Sequence, residues 1–73
     1  MTDSSSKLEV EDVNGTYLLK TPDEVKGQLE WDDGAWIFVP SWADEERWDD
    51  LQKSDEKQAL DRAKKRVTEN IAG

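Results

Sequence analysis

The chain has 73 residues, with 18 acidic and 10 basic side chains and a formal net charge of −8. It contains no cysteine and no histidine, which excludes disulfide cross-links and the common zinc ligand sets. No run of about 18 apolar residues is present, so we expect no membrane-spanning helix and no membrane partner.

Charge is distributed unevenly along the chain. Residues 1–56 hold sixteen acids and five bases, a balance of −11, whereas residues 57–73 hold two acids and five bases, a balance of +3. An acidic body attracts basic partners and repels phosphate backbones, so direct nucleic-acid binding is expected only from the last segment. The polar N-terminus and the lack of cysteine predict a cytoplasmic protein. Residues 1–6 are predicted to be a disordered tail, and residues 7–73 a single small domain.

Two β-hairpins are predicted in the first half of the domain. Asn14-Gly15 lies between segments of alternating polarity, and Asp33-Gly34 lies in a similar setting further on. Such dipeptides favour two-residue hairpin turns. The first turn would pair Val10 with Leu19, and the second would pair Leu29 with Phe38 and Trp31 with Trp36. The segment at 21–27 is expected to link the hairpins as one helical turn or a tight loop.

Two helices are predicted in the second half. The segment at 42–53 fits a short helix on which Trp48 and Leu51 would face the sheet, while Trp42 would share the opposite face with acidic residues. A longer helix is predicted to run to Ile71, with an apolar stripe made of Leu60, Ala63, Val67 and Ile71 and with Ala59 at its edge. The predicted fold is therefore α+β: an antiparallel sheet of two hairpins packed against one short and one long helix.

The acidic side chains form the main candidate site. Trp42 with Glu45, Glu46, Asp49, Asp50, Asp32 and Asp33 is predicted to bind a protein partner, because tryptophan is frequent at interface hot spots and carboxylates attract basic surfaces. The alternatives without a binding function are that Trp42 folds back onto the sheet and that the acidic face only keeps the protein soluble. No nucleophile, histidine or phosphate-binding loop accompanies the acids, so no catalytic site, metal or cofactor is predicted.

This pattern favours a non-enzymatic regulator or inhibitor that binds a basic site on a protein. The partner could be a nucleic-acid-binding enzyme whose phosphate-binding groove the protein occupies. By analogy with other small acidic proteins, the inhibitor could be encoded by a virus. One alternative is a nucleic-acid binder that uses Arg62, Lys64, Lys65 and Arg66, although these basic residues are predicted to spread around the last helix. Another is a homo-oligomer formed through the second sheet face at Ile37 and Val39.

Overall fold

The computed structural model describes residues 8–72, which form a five-stranded antiparallel sheet with one helix. The tail predicted at residues 1–6 lies outside this range. The strands are β1 (Glu9–Val13), β2 (Thr16–Lys20), β3 (Val25–Asp32), β4 (Ala35–Pro40) and β5 (Glu46–Trp48). A 3-10 turn at Lys53–Asp55 leads into helix α1 (Glu56–Ala72). The α+β class predicted from the sequence is confirmed, but the predicted sheet of two hairpins with two helices is wrong, because the sheet has a fifth strand and only one α-helix packs on it.

Two tight turns set the register of the sheet. Asn14 and Gly15 have φ values of 54° and 88°, and Asp33 and Gly34 have values of 51° and 79°. Positive φ at both central residues defines the turn type whose twist matches that of the flanking strands. The strand pairings that follow are those predicted: β1 pairs with β2 through the first turn, and β3 pairs with β4 through the second.

The four strands belong to one continuous sheet because β2 also pairs with β3. The link between them is a tight loop at 21–24, in which the amide of Thr21 donates to the carbonyl of Glu24 at 2.9 Å. The register between β2 and β3 shifts at Leu19 and Lys20, as it does where one strand carries an extra residue. The sheet order is therefore the order of the chain, β1 to β5.

The short helix predicted at 42–53 is replaced by a loop at 41–45 and strand β5. β4 is apolar along its whole length, and five of its six residues are buried. A strand of this kind is stable only with neighbours on both sides, because its backbone groups also need partners. β5 supplies the second neighbour, with Trp48 opposite Trp36 and Arg47 opposite Ile37. Tertiary pairing thus overrides the local helical pattern.

The core lies between α1 and one face of the sheet. Ala59, Ala63 and Val67 of α1 are fully buried, and Leu60 and Ile71 pack at the margin. The packed face therefore uses the predicted residues, but Ala59 lies at its centre and Leu60 at its edge, the reverse of the prediction. The sheet and the loop after β5 contribute Leu19, Leu29, Trp36, Phe38, Trp48 and Leu51. Two residues that stand opposite core residues in the strand pairing lie further out: Val10, opposite Leu19, is 37% exposed, and Trp31, opposite Trp36, packs only at the edge.

The opposite face of the sheet has no described element above it. Ile37 is nevertheless only 8% exposed, and Val39 is half-buried. Ile37 lies between Glu30 and Arg47 in the strand register, and the aliphatic parts of long charged side chains in such positions shield apolar neighbours from water. Among the described residues, no polar or charged side chain is fully buried.

Candidate partner-binding surface

Trp42 is the only exposed aromatic residue in the described part of the chain, with 37% of its surface accessible. It lies in the loop between β4 and β5 and touches the edge of the core. Its ring meets that of Phe38 edge-to-face, with 6.4 Å between centroids and 69° between planes. The sequence offered two interpretations of Trp42, an exposed interface anchor and a tryptophan folded back onto the sheet. The structure combines them, because the ring packs against Phe38 and still presents apolar surface to solvent.

Two carboxylates accompany Trp42 in this loop. Asp44 and Glu45 are both exposed, and neither forms an ion pair with any residue in the range 8–72. Together Trp42, Asp44 and Glu45 form what we call the loop surface. An apolar ring beside unneutralised carboxylates offers a basic side chain both a π face and a counter-charge.

Glu46 follows the loop surface but is directed toward α1. It accepts two hydrogen bonds from the guanidinium of Arg66, at 2.6 and 2.5 Å, and a third from the indole nitrogen of Trp48 at 3.2 Å. The paired guanidinium holds the pKa of Glu46 below its usual range and raises the pKa of Arg66. A carboxylate engaged in this way positions β5 against the helix and is not free for a partner.

Asp50 is engaged in a similar way at the other end of β5. Arg62 donates to both of its carboxylate oxygens, at 3.1 and 2.8 Å, which lowers the pKa of Asp50. The guanidinium of Arg62 also lies 4.9 Å from the centre of the Trp48 ring, and that ring stacks on Phe38 at 5.3 Å. Arg66 in turn lies 5.7 Å from the centre of the Phe38 ring. Two arginines one helical turn apart therefore join α1 to β5 through charge and aromatic contact together.

The remaining predicted acids lie around the β3–β4 turn. Asp32 and Asp33 are exposed, and Asp49 pairs with Arg47 at 2.9 Å. Arg47 also donates to the backbone carbonyl of Asp33 at 3.1 Å. We call Asp32, Asp33 and Asp49 the turn cluster. It lies beyond one end of β5 and the loop surface beyond the other, so the two are separated by roughly 10 Å of strand.

The structure thus divides the predicted site into three parts. The sequence interpretation placed Trp42, Glu45, Glu46 and Asp49 on one face of a helix, and that helix is not formed. Trp42 and Glu45 lie in the loop surface, whereas the turn cluster lies at the opposite end of β5. Glu46 and Asp50 are each paired with an arginine of α1, and of the two only Asp50 remains largely exposed, with 62% of its side chain accessible.

The basic residues of α1 also separate into two kinds. Arg62 and Arg66 face β5 and are paired, as described above. Lys64 and Lys65 are exposed, and neither forms an ion pair within residues 8–72. The four basic side chains therefore do not form one continuous basic face. The sequence analysis also expected them to spread around the helix.

Sequence reasoning missed the contacts that attach α1 to the sheet. The arginine pairs join residues twelve and twenty positions apart, and no local pattern indicates them. The hydroxyl of Tyr17 on β2 donates to Glu56 at 2.6 Å, and this bond to a carboxylate raises the pKa of Tyr17 to about 12. One signal was available for β5, because the continuous apolar run of β4 indicates a central strand with two neighbours.

No family model matches the chain, and no match is found among curated proteins or solved structures. Within residues 8–72, no helix is long and apolar enough to cross a membrane. The same residues contain no group of three or more acidic side chains placed to hold a metal ion.

Proposed function

We propose that this protein is a non-enzymatic interaction module that binds a basic site on another protein through the loop surface. The observation that carries the proposal is the position of Trp42, which is exposed beside Asp44 and Glu45 in a loop next to a rigid sheet. Aromatic residues that are held in place and partly exposed are frequent anchors of protein interfaces. The neighbouring carboxylates would select for arginine or lysine in the partner.

The distribution of charge supports the same proposal at longer range. Residues 8–55 hold fourteen acids and four bases, and three of those bases, Lys20, Lys26 and Arg47, are already paired with acids. The sheet and its loops therefore carry a large negative excess, which accelerates the approach of a positively charged partner. A protein with a phosphate-binding groove fits this description, and the module would then act as a regulator or inhibitor of that protein in the cytoplasm.

The test uses the full chain as bait in extracts of the cell that encodes it. We expect a basic protein to be retained at about 0.1 M NaCl and released at about 0.5 M, because screening weakens charge attraction between exposed groups. The triple variant Trp42→Ala/Asp44→Asn/Glu45→Gln should lose this protein. The matched control Asp61→Asn/Glu69→Gln removes two exposed carboxylates from α1 and should retain it. Equal capture by both variants would refute the proposal.

A second measurement uses the purified complex. Trp42 is the indole most accessible to a soluble quencher, so its quenching should fall when the partner binds. Complex formation with no change in quenching would place the contact elsewhere on the molecule.

The two alternative functions predict different results in the same experiments. Direct nucleic-acid binding through α1 requires that Lys64→Glu/Lys65→Glu abolishes binding to duplex DNA or RNA that is otherwise measurable at low salt. Self-association through Ile37 and Val39 requires a dimer in light scattering at high concentration. A monomer that binds neither DNA nor RNA leaves the protein-binding proposal as the one supported.

A further inference from the structure

We propose a second interaction surface at the free edge of β1, which would bind an extended, lysine- or arginine-rich segment of a partner as a sixth strand of the sheet. β1 is the outermost strand in the order β1 to β5, and all five of its residues are exposed. The proposal goes beyond the loop surface, because the loop surface lies beside β5, at the other edge of the sheet.

The turn geometry shows which backbone groups of β1 are free. In a hairpin with a two-residue turn, the residues that flank the turn form a hydrogen-bonded pair, and hydrogen-bonded and open pairs then alternate. Val13 opposite Thr16 is the flanking pair. The amides and carbonyls of Val13, Glu11 and Glu9 therefore point toward β2. Those of Val10 and Asp12 point outward, and no other strand of the described chain lies on that side.

β1 lacks most of the features that usually protect the edge of a sheet. Proteins block edge strands with charged side chains, lysine in particular, and with proline, a bulge or very short length. The strand Glu-Val-Glu-Asp-Val is protected only by its three acids: it contains neither proline nor lysine, and its pairing with β2 is regular over five residues. β5, at the other edge, is only three residues long and is attached to α1 by paired arginines.

The charge of β1 indicates its occupant. A second copy of β1 would bring the three acids of each strand, Glu9, Glu11 and Asp12, close to those of the other. Glu11 is paired with Lys20 on β2, but Glu9 and Asp12 have no ion pair within residues 8–72, and like charges on neighbouring strands are destabilising. A strand with lysine or arginine at alternate positions would instead place opposite charges across the new pairing. Val10 and Val13, which are 37% and 40% exposed, would give such a strand apolar contacts. A basic extended segment therefore fits this edge better than a second copy of the chain.

The probe for this surface is an eight-residue peptide of alternating lysine and valine, blocked at both ends. Its control is the same peptide with N-methyl groups on alternate residues, which keeps every charge but removes the hydrogen-bond donors of one edge. We expect the unmodified peptide to bind the full chain at least tenfold more tightly. Strand addition should also slow hydrogen exchange of the Val10 and Asp12 amides in particular.

Variants separate this surface from the loop surface. Glu9→Gln/Glu11→Gln should weaken peptide binding several-fold, whereas Asp44→Asn/Glu45→Gln, which also removes two carboxylates, should not. Val10→Pro removes one outward amide, at a position where an edge strand tolerates proline, and should abolish protection of the edge.

Two results would overturn the proposal: equal affinity for the two peptides, or protection of Val10 and Asp12 that depends on protein concentration without peptide. Neither result bears on capture of a partner through Trp42, so the two proposals fail independently.

Discussion

At the scale of single residues, Arg62 and Arg66 have the clearest structural role. Each guanidinium binds a carboxylate with two hydrogen bonds and also lies over an aromatic ring. Only arginine combines planar two-point binding with stacking. Because the two residues are four positions apart on α1, they hold two points of the β5 region at once. The orientation of β5 relative to the helix therefore depends on two side chains.

The Glu46–Arg66 pair predicts a pH-dependent contribution to stability. Arg66→Gln should reduce the free energy of unfolding by about 1 kcal/mol near pH 7, a modest value because both side chains are about one-third exposed. The folded-state pKa of Glu46 is lowered, so this contribution is present above the pKa of an unfolded glutamate, about 4.3. It is lost as pH falls through the lower folded-state value. Urea unfolding followed by tryptophan fluorescence measures both effects.

The control for this prediction is Asp49→Asn. It removes an ion pair whose side chains are 48% and 68% exposed, and it should change stability by less than about 0.5 kcal/mol. If Arg66→Gln lowered stability equally at every pH, the effect would come from the packing of Arg66 on Phe38 and not from the ion pair.

At the scale of elements, β5 decides the arrangement of the second half of the chain. Trp48 reaches the core from a strand and stacks on Phe38, and the indole nitrogen of Trp36 donates to the carbonyl of Gln52 at 2.7 Å. These contacts fix the path of the chain between β4 and α1. Residues 41–52 therefore have an ordered course although only three of them belong to a strand.

Backbone chemical shifts and amide contacts measured by NMR will test this course. We expect extended values at Glu46–Trp48, a contact between the backbone protons of Trp36 and Trp48, and helical values only from about residue 53 onward. Helical shifts across 42–52 would contradict β5. They would also return Trp42, Glu45 and Asp49 to a single helix face, as the sequence pattern alone suggested.

The part of the fold that could be predicted from sequence is the part encoded locally. Asn14-Gly15 and Asp33-Gly34 specify turns, and the turns specify register. The stripe Ala59, Ala63 and Val67 specifies the packed face of α1. β5 could not be predicted in this way, because the acid-rich segment fits a helix on its own. Its extended form depends on the exposed edge of β4, which exists only after the sheet has formed.

The candidate site was predictable only in part for the same reason. The sequence separated Trp42 from the other three tryptophans but left its exposure open, and the structure shows that it is the exposed one. Of the six acids that were grouped with it, only Glu45 lies in the same loop. Glu46 and Asp50 are paired with arginines of α1, and Asp32, Asp33 and Asp49 lie at the other end of β5. Pairing between Glu46 and Arg66 spans twenty residues, and only the three-dimensional arrangement reveals it.

At the scale of the whole molecule, the unneutralised negative charge is confined to one side. Within residues 8–72, eight acids without an ion pair lie on the sheet and its loops, where every basic side chain is paired. Four unpaired acids lie on α1 and just before it, together with the unpaired lysines: Lys53, Lys57, Lys64 and Lys65. A molecule with this charge distribution has an electric dipole moment as well as a net charge. Its acidic side should face a basic partner during approach.

This separation predicts that salt stabilises the fold. Repulsion among the many sheet carboxylates should outweigh the attraction in five exposed or half-exposed ion pairs, each of which contributes little. Raising NaCl from about 0.01 to 0.3 M shortens the screening length from roughly 30 Å to less than 8 Å, and should raise the urea midpoint. Asp32→Asn/Asp33→Asn should be more stable than the parent at low salt and respond less to NaCl. A midpoint that falls with added salt would contradict this account.

The order of the strands has a further consequence for the entropy of folding. Every strand pairs with the strand that precedes it in the chain, and the connections contain only two, four, two and five residues. Closing short segments costs little chain entropy, and the cost rises only with the logarithm of length. No strand of the sheet pairs with a strand that is distant in sequence. The sheet can therefore assemble by adding one neighbouring strand at a time. Among the described residues, the packing of α1 on the sheet is the step that joins segments distant in sequence.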